Sequence, residues 1–421
     1  MDKKKYKAYL EALKSELLPA MGCTEPIAVA YCAALARDAL GAVPTRVEIT
    51  VSGNILKNVK SVVVPNTGGM RGVKAAAAAG IVAGNAEKKL ETLSGIRDDQ
   101  FAEIVKYLQN TEFTLSRMDS RRIFDIGVRV FYGGDEAYAR IEGHHTNVIR
   151  LEKNGKPIVN EAEIDEGGEP EREFSVGEIV EFVNEVRLSD VEEMIGRQIA
   201  YNSAISEEGL KNDYGARVGK ILLAAYGDSV HNRARAAAAA GSDARMNGCN
   251  LPVVIVSGSG NQGITASVPV IVYAKELGVP KEKLYRAVAL SDLVTIHLKS
   301  RIGRLSAYCG AVSAGCGAGA GVCYLLGGGY DEIAHTIVNA LAIDSGIVCD
   351  GAKSSCAAKI ASAVEAGLLG LKMEQSGSRF AGGDGIVEES VERTIRNIGD
   401  LARYGMRSTD EEIIRLMIGN K

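Results

Sequence analysis

The chain has no tryptophan and only 9 prolines in 421 residues. It contains no Cys-x-x-Cys pair. That absence removes zinc ribbons, thioredoxin-type motifs and the bacterial ferredoxin run from consideration. Its 8 cysteines are too few for a disulfide scaffold. Excess positive charge is missing as well: 49 Lys and Arg against 53 Asp and Glu give a net charge of −4. Nucleic acid is therefore not expected as a partner. The start, Met1-Asp2-Lys3-Lys4-Lys5 and then an amphipathic run, lacks the apolar core and cleavage site of a secretory signal. A cytoplasmic protein is expected, where reduced cysteines serve metals or catalysis rather than disulfides.

Two stretches, 246–274 and 305–330, carry no charge and exceed the ~20 residues that span a bilayer. The first holds Asn247, Asn250, Asn261, Gln262 and two prolines, and the second is mostly Gly, Ala and Ser. Such composition predicts buried, polar-lined backbone around a site, and no membrane partner is expected. Apolar residues at 46% and charged residues at 24% describe an ordinary globular chain of two or three domains.

Periodicity predicts helices over 6–18 and 26–40, with Pro26 in the first turn of the second. Alternation predicts strands over 45–52 and 59–64, then a turn at Asn66-Thr67-Gly68-Gly69. Residues 72–89 and 98–109 read as helices. Gly133-Gly134-Asp135 and Asn154-Gly155 each mark a hairpin, joining strands 127–132 to 136–142 and 145–152 to 156–159. An acidic stretch with Gly and Pro at 161–173 reads as a linker. Beyond it the strand signal fades into helical patterns, with glycine-rich breaks at 257–263, 310–321, 327–329 and 382–385. The expected fold class is α+β: an α+β domain with a mostly antiparallel sheet over 1–160, and an all-α domain over 175–421.

Cys309, Cys316 and Cys323 are spaced by seven, and so are Cys349 and Cys356. The plain reading of that spacing is a buried helix stripe, which is preferred for Cys309 and Cys323. Seven helical residues rise ~10.5 Å, too far for Cys349 and Cys356 to share a compact centre unless the chain turns between them. Asp350-Gly351-Ala352-Lys353-Ser354-Ser355 can supply that turn. Cys316 stands in Ala314-Gly315-Cys316-Gly317-Ala318-Gly319, where bulky neighbours are missing.

Four segments carry a resemblance. Met21-Gly22-Cys23-Thr24-Glu25-Pro26, Asn66-Thr67-Gly68-Gly69, Ser257-Gly258-Ser259-Gly260-Asn261-Gln262-Gly263 and 346–356, with its Cys349-Asp350-Gly351-Ala352-Lys353 core, resemble the L-cysteine desulfidase family. That family is related to the catalytic chain of iron–sulfur L-serine dehydratases. The resemblance implies β-elimination of L-cysteine to hydrogen sulfide, ammonia and pyruvate on a [4Fe–4S] cluster, without pyridoxal phosphate. It implies cluster ligation by Cys316, Cys349 and Cys356. Three ligands leave one iron open to act as a Lewis acid. Cys23 stands where serine dehydratases carry a Ser/His-rich stretch, and no Cys follows Cys356, which favours the desulfidase branch.

Cys23 opens the second helix, where unpaired N–H groups and the dipole are expected to lower its pKa. It is the expected catalytic residue, as base or as a fourth cluster ligand. Cys32 is expected in the core. Gly258-x-Gly260-x-x-Gly263 matches a dinucleotide fingerprint, but Pro269 is expected to interrupt the next helix and no βαβ alternation surrounds it. Ser257, Gly258, Gly260, Asn261 and Gln262 are expected instead to hold a substrate carboxylate, with Asn54, Lys57, Asn58, Thr67, Gly68 and Gly69 contributing from the other domain; ordinary turn chemistry is the competing reading for this second group. Strand geometry would aim His144 and His145 to opposite faces. The expected partner is a small amino-acid substrate, and a homodimer stays open. The rival functions are an iron–sulfur L-serine dehydratase and a non-catalytic amino-acid- or metal-binding relative.

Overall fold

The computed structural model describes residues 1–118, 122–161, 173–303 and 305–418. Almost all of the expected linker lies outside them. The first part runs α1 (Lys3–Glu16), β1 (Pro19–Met21), α2 (Thr24–Leu40), β2 (Arg46–Val51), α3 (Gly53–Val59), α4 (Val73–Ala83), α5 (Asp98–Asn110), β3 (Glu112–Arg117), β4 (Asp125–Tyr132), β5 (Asp135–Glu142), β6 (Val148–Lys153) and β7 (Lys156–Asn160). Then come α6 (Val176–Glu185), α7 (Leu188–Lys211), α8 (Val218–Tyr226), α9 (Val230–Met246), β8 (Pro252–Val254), α10 (Gly260–Leu277), α11 (Lys281–Ile302), α12 (Gly310–Leu325), α13 (Tyr330–Asp344), α14 (Cys356–Gln375), α15 (Val391–Asp400) and α16 (Arg407–Ile418). The fold class is α+β, as the sequence predicts.

Six strands form one sheet in the order β3-β2-β4-β5-β6-β7, antiparallel except for the parallel β2–β3 pair. β2 alternates buried and half-buried residues, the pattern of a strand with one face on the core. That core face is covered by α2, whose Ile27, Val29, Ala30 and Ala34 are fully buried. Asn154 and Gly155 both take positive φ in the β6–β7 turn, as a two-residue hairpin demands. A second, two-stranded sheet pairs β1 with β8, Ala20 opposite Val253. It stitches the first segment to the helical half. α1 also packs there: Tyr9 stacks on Phe174 at 4.2 Å, and its hydroxyl donates to Glu178.

Four local expectations fail for physical reasons. Residues 59–64 form no strand. The Ser52 side chain caps α3 by accepting from the Ile55 N–H, the helix runs to Val59, and Val62, Val63 and Val64 are buried without a ladder. A continuous apolar run does not distinguish a strand from packed coil. β6 starts at Val148, so His144 and His145 lie in the preceding turn rather than on a strand.

The stretch 310–321 is no break: it lies within α12, almost wholly buried. Glycine costs a helix about 1 kcal/mol each, but here glycines admit neighbouring backbones. A Cβ on Gly315 would lie 2.2 Å from the Ala363 carbonyl oxygen, and one on Gly319 would lie 2.6 Å from that of Gly367, both in α14. A Cβ on Gly317 would lie 2.4 Å from the Ser291 carbonyl oxygen in α11. Pro269 likewise sits inside an unbroken α10, because burial on every side outweighs a local cost of about 3 kcal/mol. The two charge-free stretches thus become packed interior helices. Among the described residues no helix is long and apolar enough to cross a membrane.

Candidate functional site

Four helices begin at one cleft. Cys23 is the N-cap of α2, Ser259 that of α10 and Cys309 that of α12, while Cys356 is the first residue of α14. All four line the cleft, together with Cys349, Glu25, Arg245 and Asn261. The cleft measures about 860 Å³ including its open mouth. Each helix start presents N–H groups without intrahelical partners and the positive end of its dipole. Their convergence adds a positive backbone contribution to the cleft.

The cysteine loop is fixed locally. The Cys309 N–H donates to the Ile347 carbonyl at 3.1 Å, and the Cys349 N–H donates to that of Ala307 at 2.6 Å. This short antiparallel bridge sets Cys309 beside Cys349. The chain then turns at Gly351, whose φ is +91° and whose Cβ would fall 2.4 Å from the Lys57 carbonyl oxygen; any other residue there is strained and blocked. The turn brings Cys356 to the same cleft as Cys349. Asp350 pairs with Lys353 and Lys359. Burial opposes its ionisation, but the two ammonium groups hold its carboxyl down to about 2.

Burial, and then the neighbouring Cys349, push the Cys309 thiol up to about 12. Burial raises Cys356 as well. Cys316 is placed differently. It lies in the interior of α12, 1% exposed, does not line the cleft, and is raised by burial and then by Asp344. Cys323 is buried in the core. Cys309 thus leaves the stripe assigned to it from spacing, because α12 begins just after it.

Cys23 is 1% exposed. Its thiol donates to a Glu25 carboxylate oxygen at 3.1 Å. The Thr24 hydroxyl lies 3.1 Å from the same oxygen and 3.0 Å from the Gly258 carbonyl oxygen. Burial, then the charge of Glu25, push the Cys23 thiol well above its usual value, with Arg245 pulling the other way. The expected lowering by the helix dipole is therefore overturned: desolvation in a closed environment outweighs a helix end.

Ser257, Gly258, Asn261 and Gln262 line the cleft, and so does Asn58. Ser257 and Gly258 both take positive φ, at 49° and 79°. A strained serine of this kind is a feature of functional loops. Gly260 lies beneath, its Cα against Arg245. Asn54 turns away to donate to Asp410 of α16. Thr67 donates to the Val64 carbonyl, and Gly68 faces Phe101, so the Thr67-Gly68-Gly69 turn stands off the cleft. Sequence reasoning missed Glu25 and Arg245 as cleft residues, whereas of the His144–His145 pair it considered, His145 lines the cleft. Glu25 could have been found, two residues from Cys23 in a quoted motif. His145 sits edge-on to Phe124 at 4.7 Å.

Among the described residues no three His, Cys, Asp or Glu side chains are gathered tightly enough to hold one metal ion as they stand. A cluster several atoms wide takes thiolates set farther apart. Four cysteines, Cys23, Cys309, Cys349 and Cys356, line the one cleft, and thiolates are the soft donors that iron–sulfur groups take.

Residues 85–415 match the family described as "Serine dehydratase alpha chain". The chain is 56% identical to a UPF0597 protein of Desulfitobacterium hafniense (strain Y51), covering 98% of this chain and 97% of the other. It is 47% identical to a UPF0597 protein of Lachnoclostridium phytofermentans, over 98% and 100%. A UPF0597 protein of Treponema denticola is 45% identical over 99% of each chain. On these grounds the chain belongs to the serine dehydratase alpha chain family.

Proposed function

We propose that the chain is an iron–sulfur lyase that removes the β-substituent of a small amino acid, with L-cysteine as substrate. One observation carries this reading: Cys309, Cys349 and Cys356 share a single cleft with the Cys23–Glu25 pair. Cys309 takes the place that the resemblance gave to Cys316, which is inside the core. The cluster held by these three thiols would supply a Lewis acid beside the substrate.

The chain's own residues supply the rest. The helix starts and the Ser257–Gln262 loop orient the substrate's carboxylate. Cys23 and Glu25 form the proton-moving pair: the thiol faces the cleft and its proton already points at the carboxylate. Loss of the Cα proton and of hydrosulfide from Cβ leaves aminoacrylate. That product tautomerises and takes up water, so L-cysteine and water give pyruvate, ammonia and hydrogen sulfide. The buried floor of the cleft limits the water that reaches the reacting atoms.

L-Serine is the second reading, favoured by the family's name. The test uses anaerobically purified protein with each amino acid in turn. Sulfide and pyruvate released in equal amounts from L-cysteine, at a higher kcat/KM than pyruvate from L-serine, supports the desulfidase. The reverse ratio assigns the dehydratase. Pyruvate from neither, with no brown colour, overturns the lyase.

A further inference from the structure

Arg245, in the last turn of α9, is 3% exposed and lines the cleft. Its Nη1 donates to the Asn261 Oδ1 at 3.1 Å, and among the described residues its Nε has no hydrogen-bond partner. Among the described residues no ion pair joins it to a carboxylate. A buried, permanently charged guanidinium without a counter-ion is costly to fold. Such residues are found paired, or waiting for an anion. Glu25, the cleft's own acid, is engaged by the Cys23 thiol and the Thr24 hydroxyl. Lys359 already pairs with Asp350.

The position is built rather than accidental. α10 opens with Gly260, and a Cβ there would lie 2.3 Å from Arg245 Nε and 2.8 Å from Cζ. The guanidinium therefore lies directly against the first turn of an 18-residue helix, whose free N–H groups face the same cleft. The terminal guanidinium nitrogens and the helix start together match a planar group with two oxygens.

We propose that Arg245, with the first turn of α10, is the clamp for the α-carboxylate of the amino-acid substrate. The inference rests on the lyase reading for the identity of the substrate, but not for the existence of the site. The clamp fixes the substrate class: the ligand carries a free carboxylate, and amides or esters of the same amino acid are excluded. It also places the Cα carbon next to the carboxylate, over the Cys23–Glu25 side of the cleft.

The test measures binding calorimetrically with anaerobically purified protein. The probe is L-alanine, which has a carboxylate and an amine but no β leaving group. L-Alaninamide and inorganic sulfate are its controls. Wild type should bind L-alanine at least 10-fold more tightly than either. Arg245→Met should weaken L-alanine roughly 10- to 100-fold, the scale of one charge-assisted hydrogen-bond pair. Arg245→Lys should fall between.

Asn261→Asp is the companion variant, which guards against a folding defect in Arg245→Met. It gives the guanidinium a carboxylate of its own, should melt no lower than wild type, and should weaken L-alanine to the same degree. L-Alanine bound within twofold of wild type by either folded variant overturns the clamp. So does no L-alanine binding by wild type at millimolar concentration, or sulfate or L-alaninamide binding as tightly as L-alanine. Iron content and pyruvate release are read separately. Arg245-dependent binding without iron or turnover leaves the clamp and removes the lyase. Turnover with Arg245-independent binding does the opposite.

Discussion

The starts of α2, α10, α12 and α14 and the middles of the same helices are built from similar small residues, yet they do different work. In the middle of α12 the glycines are consumed by backbone contact with α11 and α14, and Cys316 there is a core side chain. At the start of α12, two turns away, Cys309 is half-buried and faces the cleft. The residue type is the same and the helix is the same. What differs is access to unpaired N–H groups and to solvent. Under the proposed function the chemistry falls at the helix ends, where the backbone itself remains available for a ligand. The middles supply rigidity, which holds four ends at one point.

The largest way to break the ends without touching the middles is Glu25→Gln. It removes the acceptor of the Cys23 proton while keeping the shape. Turnover should fall by about 10²- to 10⁴-fold, with unchanged iron content and melting temperature. Pyruvate release above a tenth of wild type would take Glu25 out of the proton path. Breaking a middle gives the opposite phenotype. Gly315→Val should cost about 3 kcal/mol or more, since its new side chain meets backbone rather than a flexible tip. Urea unfolding checks this, and wild-type stability would show that α12 and α14 can move apart.

Between the two extremes stands Lys57, 2% exposed and paired with Asp410 of α16. Lys57 also donates to the Cys349 carbonyl at 3.3 Å. Asp410→Ala strands a buried ammonium and should cost about 3 kcal/mol. Hydrogen exchange should quicken across 346–356 as well as in α16; protection unchanged in 346–356 would detach that loop from the C-terminal helix.

A further contrast is a pH dependence in a helix middle, that of α11. Asp292 is fully buried with a single partner, Gln198 at 2.9 Å, and burial pushes its carboxyl up to about 8. A carboxyl with a folded pKa above the unfolded one binds its proton more tightly in the native state. It therefore destabilises the fold increasingly as pH rises from about 4 to about 8, and no further beyond. Asp292→Asn should gain on wild type across that window by up to about 1.4 kcal/mol per pH unit. Parallel stability curves would show Asp292 ionised inside the fold.

The contrast also explains what could be read from the sequence. α2, α5 and the two hairpins were legible because local signals agree: apolar period, Pro26 in a first turn, Gly and Asn at positions needing positive φ. α12 was not, because glycine in a helix is indistinguishable from glycine in a loop until the partner helix is known. The heptad of Cys309, Cys316 and Cys323 treats all three alike; only the position of the helix start separates them. The turn between Cys349 and Cys356 was legible in Gly351, which supplies the positive φ; helical rise says only that the two thiols share a centre if the chain turns there. Cys23 was found, but its protonation depends on burial contributed by residues distant in sequence. Nothing in the sequence marks Arg245 as lacking a counter-ion, since a missing partner is a property of the assembled interior.

The claim that helix position decides the chemistry of these cysteines is tested most directly by one paired measurement. Iron and acid-labile sulfide are counted after anaerobic reconstitution of Cys309→Ser and Cys316→Ser. The account predicts that Cys309→Ser loses the brown cluster while Cys316→Ser retains iron and sulfide at the wild-type level. A colourless Cys316→Ser beside a brown Cys309→Ser would contradict it.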